Sequence, residues 1–284
     1  MIVCLAANPS VDKLFEVERL RPGEIHRPDG FVQVAGGKGL NVARAAHSLG
    51  GDVCSVAMLR GHTGKWLAEM LDAEGVQGSF VWTHGENRAS LSVADRETGG
   101  LTEFYEHGAE VPEASWVETV QAVADLLPGA QWLTISGSLP AGAPVEGYRE
   151  VVAEARAAGV KIALDSEGER LRFALWGRPD VVKVNAHEAS GLLDVSTETL
   201  EGAVMAAREL RERAGGDGHA GLVTLGAEGV VLAAPDGSCW EGRLYVRGRY
   251  PVGSGDSFLA GLVVALDRGD GWPEALQLAL GAAT

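Results

Sequence analysis

The sequence predicts an α/β protein with a mostly parallel central sheet, and three observations support this. Short apolar runs alternate along the 284 residues with longer amphipathic stretches, which is the order of strand and helix in such folds. The runs are rich in β-branched residues and are bounded by Gly, Pro or Asp, as buried strands are. A content of 46% hydrophobic and 22% charged residues fits a globular chain.

The predicted strands are five or six residues long and mainly apolar. They cover Ile2–Ala7, Val53–Met58, Gln131–Ser136, Lys161–Asp165, Asp180–Val184 and Gly221–Leu225. Stretches with apolar residues at helical spacing cover Gly39–Leu49, Gly64–Ala73, Ala114–Leu127, Val145–Ala158, Thr197–Ala214 and Ser257–Leu266, and a last helix follows Pro273. Ligands of such sheets bind beyond the carboxyl ends of the strands, so the segments after the strands are candidate sites.

Two segments depart from this alternation and predict a small second sheet. Leu14–Ala35 and Gly78–Tyr105 carry short runs in which polar and apolar residues alternate, such as Arg88–Ala94. Alternation is typical of a sheet with one solvated face. We expect these two segments to form an antiparallel lid on a single domain that spans residues 1–284.

The charge balance excludes several classes of partner. The chain carries 24 Lys and Arg residues against 39 Asp and Glu residues, a formal net charge of −15. Nucleic acids and anionic membranes need a basic surface on the protein, so we expect neither as a partner. No stretch reaches the roughly 18 apolar residues of a membrane helix, and the amino terminus lacks the basic region of a signal peptide. We therefore expect a cytoplasmic protein.

The most informative segment lies before an apolar helix and reads Gly253-Ser254-Gly255-Asp256-Ser257. The first amides of a helix have no intrahelical partner, glycine lets an anion approach them, and the helix dipole favours negative charge there. Asp256, in the first turn, could accept a proton from a hydroxyl that attacks a phosphoryl group. The structural alternative is a glycine turn in which Asp256 only caps the helix.

A lysine lies among glycines in a second segment, Gly36-Gly37-Lys38-Gly39-Leu40-Asn41. Few neighbours pack against such a side chain, so it is free to meet an anion; the alternative is a flexible loop with a solvated lysine. A phosphate-binding P-loop is excluded, because that motif requires Gly at position 32 and Ser or Thr at position 39, where the chain has Val32 and Gly39.

Further polar segments follow predicted strands. Asp12 could bind two sugar hydroxyls, unless Asn8–Asp12 is an ordinary Asn-Pro turn. Asn185 and Glu188 lie three positions apart at a predicted helix start and share a face, which suits Mg²⁺. The alternative is a capping box, in which the two side chains only close the first turn. Two more turns after strands are Ser136–Pro140 and Thr224–Gly229.

In their order and spacing these segments resemble the ribokinase-like sugar kinases, the PfkB family. The motifs that carry the resemblance are Asn8-Pro9-Ser10-Val11-Asp12, Gly36-Gly37-Lys38-Gly39-Leu40-Asn41, Asn87-Arg88, Ser136-Gly137-Ser138-Leu139-Pro140, Lys183-Val184-Asn185-Ala186-His187-Glu188, Thr224-Leu225-Gly226-Ala227-Glu228-Gly229 and Val252-Gly253-Ser254-Gly255-Asp256-Ser257. The Asn-Pro-Ser opening, Thr102-Glu103 and Ser254 look most like the branch of 1-phosphofructokinases and tagatose-6-phosphate kinases.

The resemblance implies a ribokinase-like three-layer α/β/α fold with a small β-lid that closes over the sugar and, in many members, pairs with a second subunit. It implies ATP-dependent phosphoryl transfer, with Mg²⁺, to a phosphorylated ketohexose, foremost fructose 1-phosphate to give fructose 1,6-bisphosphate. Tagatose 6-phosphate or another sugar is the alternative substrate. A sugar-phosphate-binding protein without turnover is the alternative of another class.

The resemblance also implies roles for named residues. Asp256 matches the catalytic base, next to an anion hole formed by Gly253, Ser254 and Gly255. The implied sugar-phosphate ligands are Asp12, Gly37, Lys38, Asn41, Arg88 and Ser136, among which Lys38 and Arg88 hold the phosphate. The implied Mg–ATP ligands are Lys183, Asn185, Glu188, Thr224, Gly226 and Gly229, among which Asn185 and Glu188 hold Mg²⁺ through water.

The chain departs from the family pattern at several places. Val184 replaces a usual proline, and Asn87 replaces a usual threonine before the lid arginine. Phe104-Tyr105-Glu106 follows Thr102-Glu103, where the branch often has a small residue or asparagine. Because the sequence stops at Thr284, where relatives continue, we expect a last helix that is cut short beside the adenine pocket.

Overall fold

The computed structural model describes residues 1–244 and 252–284 and contains a nine-stranded sheet and a four-stranded sheet. The strands, in chain order, are β1 (Ile2–Ala6), β2 (Ser10–Val17), β3 (Gly30–Gly36), β4 (Val53–Arg60), β5 (Gln77–Thr83), β6 (Arg88–Asp95), β7 (Leu101–Tyr105), β8 (Trp132–Ser136), β9 (Lys161–Asp165), β10 (Val181–Asn185), β11 (Ala220–Thr224), β12 (Val230–Ala233) and β13 (Cys239–Gly242). The helices are α1 (Lys38–Ser48), α2 (Gly61–Ala73), α3 (Glu113–Leu126), α4 (Gly147–Ala157), α5 (Gly168–Leu175), α6 (Ala186–Leu193), α7 (Leu200–Ala214), α8 (Ser254–Asp267) and α9 (Trp272–Ala282).

The large sheet has the strand order β13-β12-β11-β10-β9-β8-β1-β4-β5. All neighbouring pairs from β11 to β5 are parallel, and the two pairs at the β13 edge are antiparallel. The predicted α/β fold with a mostly parallel sheet is therefore confirmed. All the strands predicted from apolar runs are present, and their ends are displaced by at most two residues.

Helices cover both faces of the large sheet, which gives the predicted three layers. Side chains alternate along β1 between two buried cores, so that Val3 and Leu5 join one core while Ile2 and Cys4 join the other. The first core contains residues of α3, α4 and α7, and the second contains residues of α1, α2, α8 and α9. No helix in the described ranges is both long and apolar enough to cross a membrane.

Four helices differ from the sequence prediction, among them α2 and α8, which begin three residues earlier than predicted. The sequence pattern does not reveal α5, because its eight residues are too few for a clear helical period. The helix predicted from Thr197 begins at Leu200 instead. The hydroxyl oxygen of Thr199 accepts a hydrogen bond from the Gly202 amide and so caps the helix at that point.

The small sheet forms the lid and has the strand order β3-β2-β6-β7. Its two outer pairs are antiparallel, and its central pair, β2 with β6, is parallel. The predicted lid boundaries are wrong in part, since the lid begins at Ser10 rather than at residue 14. Residues 77–83 form β5, which pairs with β4 in the large sheet, so only Arg88–Tyr105 of the second predicted segment supplies lid strands. As an edge strand, β5 has the partly exposed pattern that a lid strand also has.

Candidate active site

A cavity of about 1230 Å³ lies between the lid and the carboxyl ends of the strands of the large sheet. Every predicted site residue except Glu188 lines it. These residues are Asp12, Gly37, Lys38, Asn41, Arg88, Ser136, Lys183, Asn185, Thr224, Gly226, Gly229, Gly253, Ser254, Gly255 and Asp256. Segments that are far apart in the chain therefore meet in one place, as the topology of parallel strands requires.

Asp256 lies in the first turn of α8 and faces this cavity. Its side chain is 6% exposed, and its Oδ2 accepts a hydrogen bond from Asn41 Nδ2 at 2.9 Å. The helix cap is Gly253, which has a left-handed φ of 77°, and no side chain caps the helix. The capping alternative for Asp256 is therefore wrong, and its carboxylate is directed to the site.

Burial raises the pKa of Asp256 from 3.8 to about 7, and the negative charge of Asp165 adds to the rise. The hydrogen bond from Asn41 and the ammonium groups of Lys183 and Lys38 oppose this rise and lower the pKa. A carboxylate with a pKa near neutrality is partly ionised at physiological pH and is basic enough to take up a proton. The environment of Asp256 is that of a general base.

The amides next to Asp256 form an anion-binding end of α8. The first helical hydrogen bond runs from Ser257 N to Gly253 O at 2.9 Å, so the amides of residues 254–256 have no intrahelical partner. A Cβ atom at Gly255 would lie 3.0 Å from Lys183 Nζ. Glycine at this position thus lets the ammonium approach the start of the helix, where both attract an anion.

A buried carboxylate that the sequence analysis missed, Asp165, lies at the end of β9. Its Oδ1 accepts a hydrogen bond from Lys38 Nζ at 3.1 Å, and its Oδ2 accepts one from Lys183 Nζ at 2.6 Å. Burial acts to raise its pKa, but the two ammonium groups outweigh this and lower the pKa. The available signal was its position as the last residue of a predicted strand, where site residues of parallel sheets lie.

The structure places Lys38 differently from the sequence prediction, which grouped it with Arg88. The Lys38 ammonium lies between Asp165 and Glu188, and its distance to Glu188 Oε1 is 3.2 Å. Burial alone would lower the pKa of Lys38, but Asp165, Glu188 and Asp256 together raise it. The stem of Lys38 passes over Gly137, where a Cβ atom would lie 3.2 Å from Lys38 Cβ.

Arg88 lies on the lid, on the other side of the site. Its Nε and Nη2 atoms both donate to the carbonyl oxygen of Asn8 at 3.3 Å. Asp12, on the neighbouring strand β2, accepts hydrogen bonds from Ser10 Oγ at 2.5 Å and from Gly37 N at 3.0 Å. Arg88 and Asp12 therefore form a cation and a hydroxyl acceptor on the cavity side of the lid.

Asn185 and Glu188 form the capping box that was the structural alternative. Asn185 N donates to Glu188 Oε2, and Glu188 N donates to Asn185 Oδ1, each at 2.8 Å. The second carboxylate oxygen of Glu188 accepts from Lys38. Glu188 thus closes the first turn of α6 with one oxygen and contacts the Lys38 ammonium with the other, and the capping-box alternative is confirmed.

The remaining predicted residues surround another part of the cavity. Thr224 ends β11, and Gly226 and Gly229 form the following turn with φ angles of 59° and 117°. A Cβ atom at Gly229 would lie 2.0 Å from Gly242 O, so only glycine fits there. Apolar residues line the same cavity, among them Leu244, Val252, Leu280 and Ala283. Ser136 is buried, and its hydroxyl has no hydrogen-bond partner among the described residues.

Comparison with known proteins identifies the family. The model of the pfkB family of carbohydrate kinases matches residues 5–284. The 1-phosphofructokinase of Haloferax volcanii is 33% identical over 279 residues, which are 98% of this chain and 88% of that protein. Phosphofructokinase-2 of Escherichia coli, in a structure with substrates and products, is 28% identical with a TM-score of 0.91, and the match covers 99% of this chain and 91% of that one. The tetrameric inhibited form of that enzyme has a TM-score of 0.90 at 27% identity, with 99% and 92% covered. The chain therefore belongs to the pfkB family of carbohydrate kinases and is a sugar kinase.

Proposed function

We propose that this kinase transfers the γ-phosphoryl group of ATP to fructose 1-phosphate and forms fructose 1,6-bisphosphate. The observation that carries the proposal is the buried Asp256 carboxylate, with a pKa of about 7, in a cavity that also contains the Arg88 guanidinium. The similarity to a protein named 1-phosphofructokinase supports the choice of substrate.

On the acceptor side, Asp12 accepts hydrogen bonds from sugar hydroxyls and Arg88 pairs with the phosphate that the sugar already carries. Asp256 takes the proton of the hydroxyl that attacks ATP. Asn41 keeps the Asp256 carboxylate in place through its 2.9 Å hydrogen bond. Closure of the lid over the sugar excludes water, which would otherwise accept the phosphoryl group.

On the donor side, the amides of residues 254–256, which have no intrahelical partner, stabilise charge that develops on the transferring group. The ammonium groups of Lys38 and Lys183 lie in the same region, since both contact Asp165. A chain with a net charge of −15 can thus bind two anionic substrates, because its few cations converge on one cavity. We assign Lys38 to the transferring phosphoryl group rather than to the phosphate of the sugar.

Glu188 is the carboxylate that fits a divalent cation. Its Oε1 faces the Lys38 ammonium at the site, whereas both oxygens of the buried Asp165 are already paired with lysines. Mg²⁺ in such sites uses one or two carboxylates together with waters and substrate phosphates. We propose that Glu188, fixed by Asn185, would hold the Mg²⁺ of ATP through water. When bound, it neutralises phosphate charge.

The experiment that tests this function measures ADP formation by the wild type and by Asp256→Asn. Four acceptors separate the substrates: fructose 1-phosphate, fructose 6-phosphate, tagatose 6-phosphate and ribose. We expect the highest kcat/KM with fructose 1-phosphate and a loss of about 10²–10⁴-fold in kcat for Asp256→Asn, the usual contribution of a general base. A preference for another acceptor would refute the substrate, and an active Asp256→Asn would refute the mechanism.

We also propose that two copies associate through the lid. Phe31 and Phe104 are 67% and 58% exposed, and the strand register places both on the face opposite Asp12. Exposed aromatic groups of this size on one sheet face favour a protein partner. Phe31→Glu should lower the mass measured by light scattering from dimer to monomer; a wild type that is already monomeric would refute this. A cytoplasmic location, where ATP is available, stays a proposal.

A further inference from the structure

A buried arginine outside the cavity lining, Arg60, ends β4 close to the lid. Its side chain is 3% exposed, and its Nη1 donates to the carbonyl oxygen of Ala109 at 2.6 Å. Its Nε atom has no partner in the described part of the chain. Burial lowers the pKa of Arg60, and no carboxylate among the described residues pairs with it. A buried cation without a counter-charge is expensive, so its place needs an explanation.

The residue before Arg88 is fixed to the same strand end. Asn87 is 7% exposed; its Oδ1 accepts from Arg60 N at 2.7 Å, and its Nδ2 donates to Met58 O at 3.1 Å. Asn87 N donates to Thr63 Oγ1 at 2.7 Å. The amide side chain therefore satisfies two backbone groups of β4 at once. A threonine would have to make both bonds through one oxygen atom, whereas the asparagine makes them through two separate atoms.

Glu86 extends the attachment to the start of α2. Its carboxylate accepts hydrogen bonds from His62 N at 3.1 Å, Thr63 N at 2.8 Å and Thr63 Oγ1 at 2.7 Å. These bonds, of which those from Thr63 are the strongest, lower the pKa of Glu86 to about 2. The carboxylate is therefore ionised over the whole physiological range, at the helix end that favours a negative charge.

These residues hold both ends of the lid hairpin β6–β7 at one point. Glu86 and Asn87 fix the chain where it enters β6, and Arg60 fixes it at Ala109, after β7. We call Arg60, Thr63, Glu86, Asn87 and Ala109 the lid anchor. Residue 108, next to Ala109, lies against Arg88, since a Cβ atom at Gly108 would be 3.7 Å from Arg88 Cδ. The lid anchor thus lies on both sides of the backbone end of the Arg88 side chain.

We infer that Arg60 and Asn87 are positioning residues for Arg88, which they hold at the distance and angle that the phosphate of the sugar requires. Neither residue touches the substrate. The inference rests on the proposed function, because it takes Arg88 as the ligand of that phosphate. Guanidinium–phosphate pairs depend on the geometry of two parallel hydrogen bonds. A small displacement of Arg88 therefore weakens binding of the sugar phosphate and leaves the catalytic base Asp256 unchanged.

The test is a double-mutant cycle between the anchor and Arg88. We expect Asn87→Ala and Arg60→Met each to raise the KM for fructose 1-phosphate about tenfold or more, as the loss of alignment in one charged hydrogen bond does. The KM for ATP and kcat should stay within about twofold, because neither residue shares a partner with the ATP side of the site or with Asp256. In an Arg88→Ala background neither substitution should raise the KM further. Arg60→Lys keeps a donor for Ala109 O and should restore part of the affinity.

A matched control is Arg211→Met. Arg211 is also buried and binds backbone carbonyl oxygens, those of Ala234 and Pro235, at the opposite edge of the sheet. Its loss also removes the ion pairs with Glu212 and Asp217 and should lower the melting temperature, with no change in the KM for fructose 1-phosphate. Two results would show a merely structural role and overturn the inference. One is an equal rise in the KM for fructose 1-phosphate and the KM for ATP in the anchor variants. The other is an equally large rise in the KM for fructose 1-phosphate when the same substitutions are made in the Arg88→Ala background.

Failure of the proposed function would look different. If the wild type did not turn over fructose 1-phosphate, the substrate would be wrong, and the cycle would be read with the sugar phosphate that is turned over. If Arg88→Ala left the KM of that sugar phosphate unchanged, the role of Arg88 and this inference would both fail, while the base Asp256 would stand.

Discussion

Replacement of the base Asp256 should make the protein inactive and more stable. The carboxylate has a folded pKa of about 7, above its ordinary value of 3.8, mainly because it is buried. The fold therefore prefers the neutral acid. The ionised carboxylate lowers the free energy of unfolding. This loss is absent below about pH 4, grows between pH 4 and 7, and is constant above that range. Asp256→Asn removes the charge and keeps the size of the side chain.

The size of the effect follows from the difference between the two pKa values. Each pKa unit corresponds to about 1.4 kcal/mol, so linkage gives a cost of about 4 kcal/mol at pH 8 and about 2 kcal/mol at pH 5. The hydrogen bond from Asn41 partly offsets the cost and is already included in the pKa of about 7. We expect Asp256→Asn to gain stability by up to these amounts, with the larger gain at the higher pH.

The assay is urea unfolding of the wild type and Asp256→Asn at pH 5 and pH 8, without nucleotide and with a chelator. The free energy of unfolding follows by linear extrapolation, and an unchanged m-value shows that the unfolded states are comparable. A gain that is absent, or that does not grow between pH 5 and 8, would refute the claim that Asp256 is charged at a cost to the fold.

Two further changes probe the site. Lys38→Met should lower kcat strongly and change the KM for fructose 1-phosphate little. It should also move the acidic limb of the kcat/KM profile above pH 7, because Lys38 lowers the pKa of Asp256. A large rise in the KM for fructose 1-phosphate without a fall in kcat would instead support the predicted pairing of Lys38 with Arg88. Gly255→Ala should lower kcat about tenfold or more, as misplaced transition-state donors do, because its methyl group would lie 3.0 Å from Lys183 Nζ; unchanged kinetics would mean that the close approach has no role.

The sequence predicted the fold well because its strands are short, apolar and buried on both faces. Such runs differ clearly from the amphipathic helices between them, as β1 and β10 illustrate. The pattern failed at β5, whose edge position exposes Gln77 and Gly78 to solvent and so imitates a lid strand. Neighbouring strands, and not the strand itself, decide to which sheet such a segment belongs.

The site was predictable where a local motif exists and not where partners are distant in sequence. The glycines before Asp256 mark the start of α8 in the sequence itself. Asp165, in contrast, is the last residue of an ordinary strand, and its role depends on two lysines that lie 127 and 18 positions away. The same holds for Lys38, because no local sequence pattern connects it to its partners Asp165 and Glu188.

The parallel pairing of β2 with β6 has a consequence for the order of folding. These strands belong to separate excursions of the chain, and their partners, such as Asp12 and Ser90, are brought together only by the strands between them. Closing so long a loop is entropically unfavourable until β1, β4 and β5 have assembled. The lid should therefore acquire its structure late, and a nascent chain should complete its catalytic machinery only after its scaffold has collapsed.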